Sequence, residues 1–262
     1  GDLDFQRLDV SFFPRPGATV HGVTLAIPQT VRGTVESVKV CPGILPLFRG
    51  KLRIVQIGLE EPALELQLPE MPAFGKEEAE GDPSQSLQTK ASELLGVLAS
   101  KVPNLEVEVR RGNLELVDGE RPLVALRELD ASVALPPRGP AVRIACTSNL
   151  WKGLSVEGSL NPRSLAGKGH IELSGFHPQF LTNLLFPDAG VRCSESTVDL
   201  RVDVRTDGLD GLRGELKTSI PSLILQRDGE ESALKVKNLG ITFAIEEGRT
   251  TVSLDQLRLE SP

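Results

Sequence analysis

The stretch Val198-Asp-Leu-Arg-Val-Asp-Val-Arg205 decides the fold class. Val198, Leu200, Val202 and Val204 fall on one side of an extended chain; Asp199, Arg201, Asp203 and Arg205 fall on the other. Side chains alternate with period two along a strand, so this spacing predicts a strand with one dry and one wet face. The pattern recurs in Leu52-Arg-Ile-Val-Gln-Ile-Gly-Leu-Glu-Glu-Pro62 and in Val252-Ser-Leu-Asp-Gln-Leu-Arg-Leu-Glu-Ser-Pro262. Both phrases close on Leu, two acidic or small residues, and Pro. A recurring strand unit predicts a repetitive β architecture. The second phrase ends on the last residue, which reads as a piece cut from something longer.

Working outward, strands and turns are expected over Leu3–Leu68, including the short apolar piece Ile44–Phe48 and a turn at Arg49-Gly50-Lys51. A change of phase near Val55–Gln56 suggests a bulge. Residues 70–86 are polar and charged and read as a solvated loop. A helix follows over 83–102, with Asp82 as cap, Pro83 at the first position, and Leu87, Ala91, Leu94, Leu95, Leu98 and Val102 on one face. Strands then resume as a meander, interrupted by a second helix over Phe176–Phe186. The expected organisation is therefore 1–69 as a first β segment, 70–103 as loop plus helix, and 104–262 as continuing β repeats. Each dry face needs cover, from helices, a second sheet, a fold of the same sheet, or a bound apolar ligand.

Composition excludes several classes. The net charge of −7, with no local run of Lys or Arg, disfavours nucleic acid. Nine Phe, one Trp and no Tyr argue weakly against catalytic and carbohydrate sites. The three histidines, His21, His170 and His177, stand at no metal-ligand spacing from one another or from Cys41, Cys146 and Cys193. The cysteines read as small buried apolar residues. No phosphate loop, dinucleotide fingerprint or nucleophile elbow occurs. The acidic pairs Glu60–Glu61, Glu77–Glu78, Glu230–Glu231 and Glu246–Glu247 fall in expected turns or loops, where solvated charge is the ordinary outcome. No catalytic residue, metal site or cofactor is assigned, and a non-enzyme is expected. No stretch is long and apolar enough to span a bilayer as a helix.

The order Leu8-Asp-Val-Ser-Phe-Phe-Pro14, Gly22-Val-Thr-Leu25, Val38-Lys-Val40, Ile44-Leu-Pro-Leu-Phe-Arg-Gly50 and Leu52 to Pro62 resembles the N-terminal region of AsmA family proteins. Arg111-Gly-Asn-Leu, Val156-Glu-Gly-Ser-Leu160, Gly169-His-Ile-Glu-Leu173 and Val198 to Pro221 resemble that family's later strands and middle repeats. The resemblance implies kinship with chorein-type lipid transporters. It implies a mainly β fold: a long curled antiparallel sheet forming an apolar groove, with two short amphipathic helices. It further implies a periplasmic protein tethered to the inner membrane by an anchor outside this chain, engaged in outer-membrane lipid homeostasis. The expected partners are phospholipid acyl chains, with envelope proteins at the chain ends. Acyl chains require apolar surface without specific polar contacts, at roughly 0.8 kcal/mol per buried CH₂. The residues expected to line the groove are Val198, Leu200, Val202, Val204, Leu216, Ile220, Leu223, Leu225, Ile241, Phe243 and Ile245. The alternative is a closed β core serving as a structural or protein-interaction scaffold for outer-membrane biogenesis, its edge strands pairing with a partner.

Overall fold

The computed structural model describes residues 2–13, 15–27, 30–48, 50–67, 104–119, 121–136, 139–161, 164–179, 191–208, 211–227, 230–246 and 249–260. It is mainly β. The strands among the described residues belong to one open sheet of fourteen, ordered β1-β3-β4-β5-β6-β7-β8-β9-β10-β11-β12-β13-β14, with β2 pairing on β3. The chain divides into two compact units, Gly1–Ala141 and Val142–Pro262.

The first unit holds β1 (Asp2–Asp4), β2 (Arg7–Ser11), β3 (Gly17–Ile27), β4 (Val31–Pro42), α1 (Ile44–Phe48), β5 (Ile54–Gln67), β6 (Glu106–Asp118) and β7 (Arg121–Ala134). Cross-strand partners share a face of the sheet. Register therefore builds the apolar rows Leu8–Val20–Val38–Leu59–Val109–Ala131 and Val10–Ala18–Val40–Ile57–Val107–Val133. The opposite face carries Asp9, Thr19, Lys39, Gly58, Glu108 and Ser132 in one row.

The apolar phase breaks within these strands: Val20 gives way to Val23, Leu59 to Pro62, Val109 to Gly112, and Leu126 to Leu129. At the breaks Gly22, Glu61, Arg111 and Glu128 take left-handed φ of 62°, 46°, 51° and 52°. One residue in that conformation shifts the alternation by one and restores the apolar set to its face. The breaks lie at one level because the strands are in register there, forming a transverse line across the unit. The three non-glycine residues carry a strain of roughly 1 kcal/mol each. Arg111 is held there by its neighbours. Asp130 Oδ1 accepts its backbone N–H at 3.0 Å, and its guanidinium meets Glu60 at 2.8 Å and Glu61 at 2.9 Å.

Three sequence expectations are corrected in this unit. The sheet is not wholly antiparallel: β5 and β6 pair in parallel, from Gln56↔Glu106 to Gln67↔Val117. Parallel neighbours need a crossover connection rather than a tight turn, and β5 ends 39 residues before β6 begins. Second, Ile44–Phe48 is a helix, not strand. Pro46 sits in its first turn, where a missing N–H costs nothing, and Gly50 at φ 70° ends it. Third, Glu60 and Glu61 lie mid-strand and are ion-paired, not in a turn. The phase shift foreseen near Val55 is present as a register shift: Cys41 pairs Gln56 and Pro42 pairs Ile54.

The second unit comprises β8 (Ala141–Ser148, starting at the boundary), β9 (Gly153–Leu160), β10 (Ala166–Phe176), β11 (Val191–Asp207), β12 (Gly211–Arg227), β13 (Glu230–Glu246) and β14 (Arg249–Glu260). From β9 to β14 every pairing is antiparallel. Here too the register shifts at one level: between Leu173 and Phe176, Thr197 and Asp199, Thr218 and Ile220, and Val236 and Asn238. Gly175, at φ 59°, is the left-handed residue in β10.

Only one helix, α1, occurs among the described residues, where two were expected. The expected helix over 83–102 lies outside them, as does most of the one over 176–186. In the latter, Phe176 ends β10 and only Pro178 and Gln179 are described as helical.

Candidate functional site

The expected groove residues fall on β11, β12 and β13, three consecutive neighbours. Register brings them together and adds residues that sequence reasoning missed. Val202 pairs with Leu216 and Leu216 with Ile241; Val156 and Ile171 extend this row on one side and Leu254 on the other. The result is Val156–Ile171–Val202–Leu216–Ile241–Leu254, aliphatic across six strands. Next to it runs Leu154–Leu173–Leu200–Thr218–Leu239–Leu257. On the other flank, Val204 pairs with Gly214, and Gly214 with Phe243, which pairs with Val252. The Phe243 ring occupies the space a Gly214 side chain would fill. That is why a glycine fits in the middle of an aliphatic face.

The remaining expected residues sit at the margins. Ile245 pairs with Leu212 and Thr250 and is 39% exposed. Val198 pairs with Phe176, and Ile220 with Val236, beyond the register shifts. Leu223 and Leu225 pair with Leu234 and Ser232 near the far end of the β12–β13 ladder. The missed contributors, Val156, Ile171, Leu173 and Leu239, alternate in sequence as clearly as the chosen ones. Only the pairing order, which sequence does not print, places them on the same face.

Covering is incomplete. Val156, Val202, Leu216 and Ile241 are half-buried, whereas Val252 and Leu254 are 66% and 58% exposed. The buried apolar residues of this unit, among those described, are Cys146, Leu150 and Val236. A groove on this face is not drawn by the described residues. A recess of about 670 Å³ instead lies along the register-shift line, lined by Glu172, Arg201 and Lys217 together with Leu173, Leu200 and Leu239.

The polar face is a lattice of paired charges. His170 Nδ1 lies 2.7 Å from Asp203 Oδ1, and Arg201 Nε donates to Asp203 Oδ2 at 3.2 Å. The His170 hydrogen bond, seconded by Arg201, holds the Asp203 carboxyl below the usual carboxylate range. Lys217 meets Glu215 at 2.6 Å. Asp199 spans three strands: its Oδ1 accepts from Gly175 N–H at 2.7 Å, its Oδ2 from Ser219 Oγ at 3.3 Å, and its carbonyl from Thr218 Oγ1 at 2.8 Å.

No group of three or more His, Cys, Asp or Glu is placed to hold a metal ion among the described residues. His21 pairs with Asp9 at 3.2 Å. Cys41 and Cys146 are buried and unbridged. Burial pushes the Cys146 thiol up. No described helix is long and apolar enough to cross a membrane. Comparison with protein-family models, with curated proteins and with solved structures finds no match.

Proposed function

We propose that this chain is a non-enzymatic lipid-binding and lipid-transfer segment of an envelope protein. In this reading it carries phospholipid acyl chains on the apolar face of its sheet, between an inner and an outer membrane, and is tethered to the inner one. The observation that carries the reading is the row Val156–Ile171–Val202–Leu216–Ile241–Leu254, unbroken across six strands and nowhere sealed to the level of a core. Apolar surface of this extent seeks cover. Acyl chains provide cover that needs no polar contact and can slide along a uniform stripe. The AsmA resemblance of residues 8–62 supports the same reading.

Native mass spectrometry of the gently purified chain tests it. Bound phospholipid is expected in the wild type and lost in Val202→Asp/Leu216→Asp, with expression retained. Equal lipid content in both would overturn the reading.

One observation favours a scaffold instead. β14 is the last strand of the sheet path, and its Val252, Leu254 and Leu257 are 66%, 58% and 53% exposed. An added strand from a partner would cover that edge. A stoichiometric protein partner lost on Leu254→Lys, with no lipid in the wild type, would select this second reading.

A further inference from the structure

One end of the Gly1–Ala141 unit gathers two apolar loops. Ser11 pairs with Gly17, so the turn through residues 12–16 sits at the end of the β2–β3 hairpin. Ala18 pairs with Val40 on β4, whose last residue, Pro42, pairs with Ile54 at the start of β5. The segment carrying α1 therefore projects from the same end of the sheet as the 12–16 turn.

Turn tips are ordinarily polar, because they face water. Here Phe12 and Phe13 are 83% and 89% exposed, and Leu45, Phe48 and Leu52 are 75%, 86% and 77% exposed. Backbone hydrogen bonds define this presentation. Gly43 N–H donates to Arg53 O at 2.7 Å, and Lys51 N–H to Pro46 O at 2.9 Å, closing the loop on itself. Pro16 and Pro46 stiffen the two loops further. Charge is equally uneven. Residues 11–17 and 42–55 contain Arg15, Arg49, Lys51 and Arg53 and no Asp or Glu, in a chain of net charge −7.

We propose that this end is a docking surface for an anionic lipid bilayer. Phe12, Phe13, Leu45, Phe48 and Leu52 enter the interface, and Arg15 and Lys51 meet the phosphate head groups. Apolar tips flanked by basic residues match the boundary between head groups and acyl chains. The acidic remainder of the chain is repelled by the same surface, which orients this end toward it. Separate protruding tips suit a fluid surface better than a flat protein interface, which buries its apolar residues in a packed centre. The proposal does not rest on lipid carriage by the sheet: a chain that carries no lipid docks in the same way.

Flotation of the whole chain with vesicles tests it, using phosphatidylcholine alone and phosphatidylcholine mixed with phosphatidylglycerol. The wild type is expected to float with the mixed vesicles. The variant Phe12→Ser/Phe13→Ser/Leu45→Ser/Phe48→Ser, folded by circular dichroism, is expected to bind about tenfold less or worse, as loss of interfacial apolar area implies. Arg15→Gln/Lys51→Gln is expected to lose the preference for phosphatidylglycerol. Leu3→Ser/Phe5→Ser, which removes exposed apolar residues at the other end of β3 (68% and 52% exposed), is expected to float like the wild type. A wild type that floats with neither vesicle overturns the proposal, as does a four-serine variant that floats undiminished. So does equal loss in the Leu3/Phe5 control, or a tip variant whose only change is a lost dimer. Lipid co-purifying with the chain is a separate readout, so failure here and failure of the carrier reading are distinguishable.

Discussion

The two units solve one problem with different residues at the same place. Each must keep a long aliphatic set on one face of strands whose sequences break phase midway, and each does so with a transverse line of register shifts. In both, a left-handed residue in one strand has its N–H held by an aspartate of the next. Arg111 is held by Asp130 in the first unit and Gly175 by Asp199 in the second. The first unit spends a strained arginine and recovers part of the cost through Glu60 and Glu61. The second uses glycine, for which the conformation is unstrained. The units also differ in cover. Val23, Val35, Cys41, Val117, Ala125 and Leu135 are buried in the first, against Cys146, Leu150 and Val236 among the described residues of the second. Among the described residues fewer apolar side chains are thus buried in the second unit, and the proposed carrier face would need such exposure.

The sharpest way to break this contrast is to put a charge on each apolar face. Val35 is 7% exposed, and Val35→Asp is expected to cost several kcal/mol, because a carboxylate is stranded without a partner. Val202→Asp, on the half-buried row, is expected to cost much less. Urea unfolding of the two variants measures the difference; equal losses would mean that the second face is as closed as the first.

The register-shift lines come next. Asp199→Ala removes the acceptor for Gly175 N–H and Ser219 Oγ and is expected to cost about 1–3 kcal/mol. Asp130→Ala, at a more exposed site, is expected to cost less. The left-handed residues themselves give a further test. Gly175→Ala adds strain and places a Cβ 2.8 Å from the Lys152 side chain, so a loss of about 1 kcal/mol is expected. Arg111→Gly relieves strain of similar size and gives up exposed ion pairs worth about 0–1 kcal/mol, for a net change near zero. If Arg111→Gly proved strongly destabilising, the ion pairs would outweigh the backbone.

The smallest effect concerns acid. Asp203 has its pKa lowered in the folded chain, chiefly by the hydrogen bond with His170. Its stabilising contribution is therefore complete above the unfolded carboxylate pKa of about 4 and is lost as pH falls through the lower folded value. Asp203→Asn is expected to flatten slightly the stability loss below about pH 4, with little change of slope at neutral pH. The carboxylate is 46% exposed, so screening keeps the effect small.

Much of this was legible in the sequence. The alternation over Val198–Arg205 places Val202 and Val204 on one face without any structure, and the aliphatic content of β12 and β13 does the same for Leu216, Ile241 and Phe243. What the pattern does not contain is pairing. Period two identifies a face but not its neighbour, so Ile171 and Val156 were not recognised as part of the same row. The parallel β5–β6 pair was equally hidden, because Ile57 and Val107 meet across an intervening segment whose length says nothing about direction. Left-handed Glu61, Arg111 and Glu128 give no local signal either, since the residue type argues against the conformation and only the aligned phase breaks reveal it. Ile44–Phe48 is too short for periodicity to separate helix from strand.

The most direct test of the open face is site-specific photo-crosslinking in the presence of phospholipid vesicles. A photoreactive phenylalanine at position 202, 216 or 241 should form lipid adducts, and the same probe at 201 or 215, one residue away on the opposite face, should not. Adducts from both sets, or from neither, would contradict a sheet that carries acyl chains on one side.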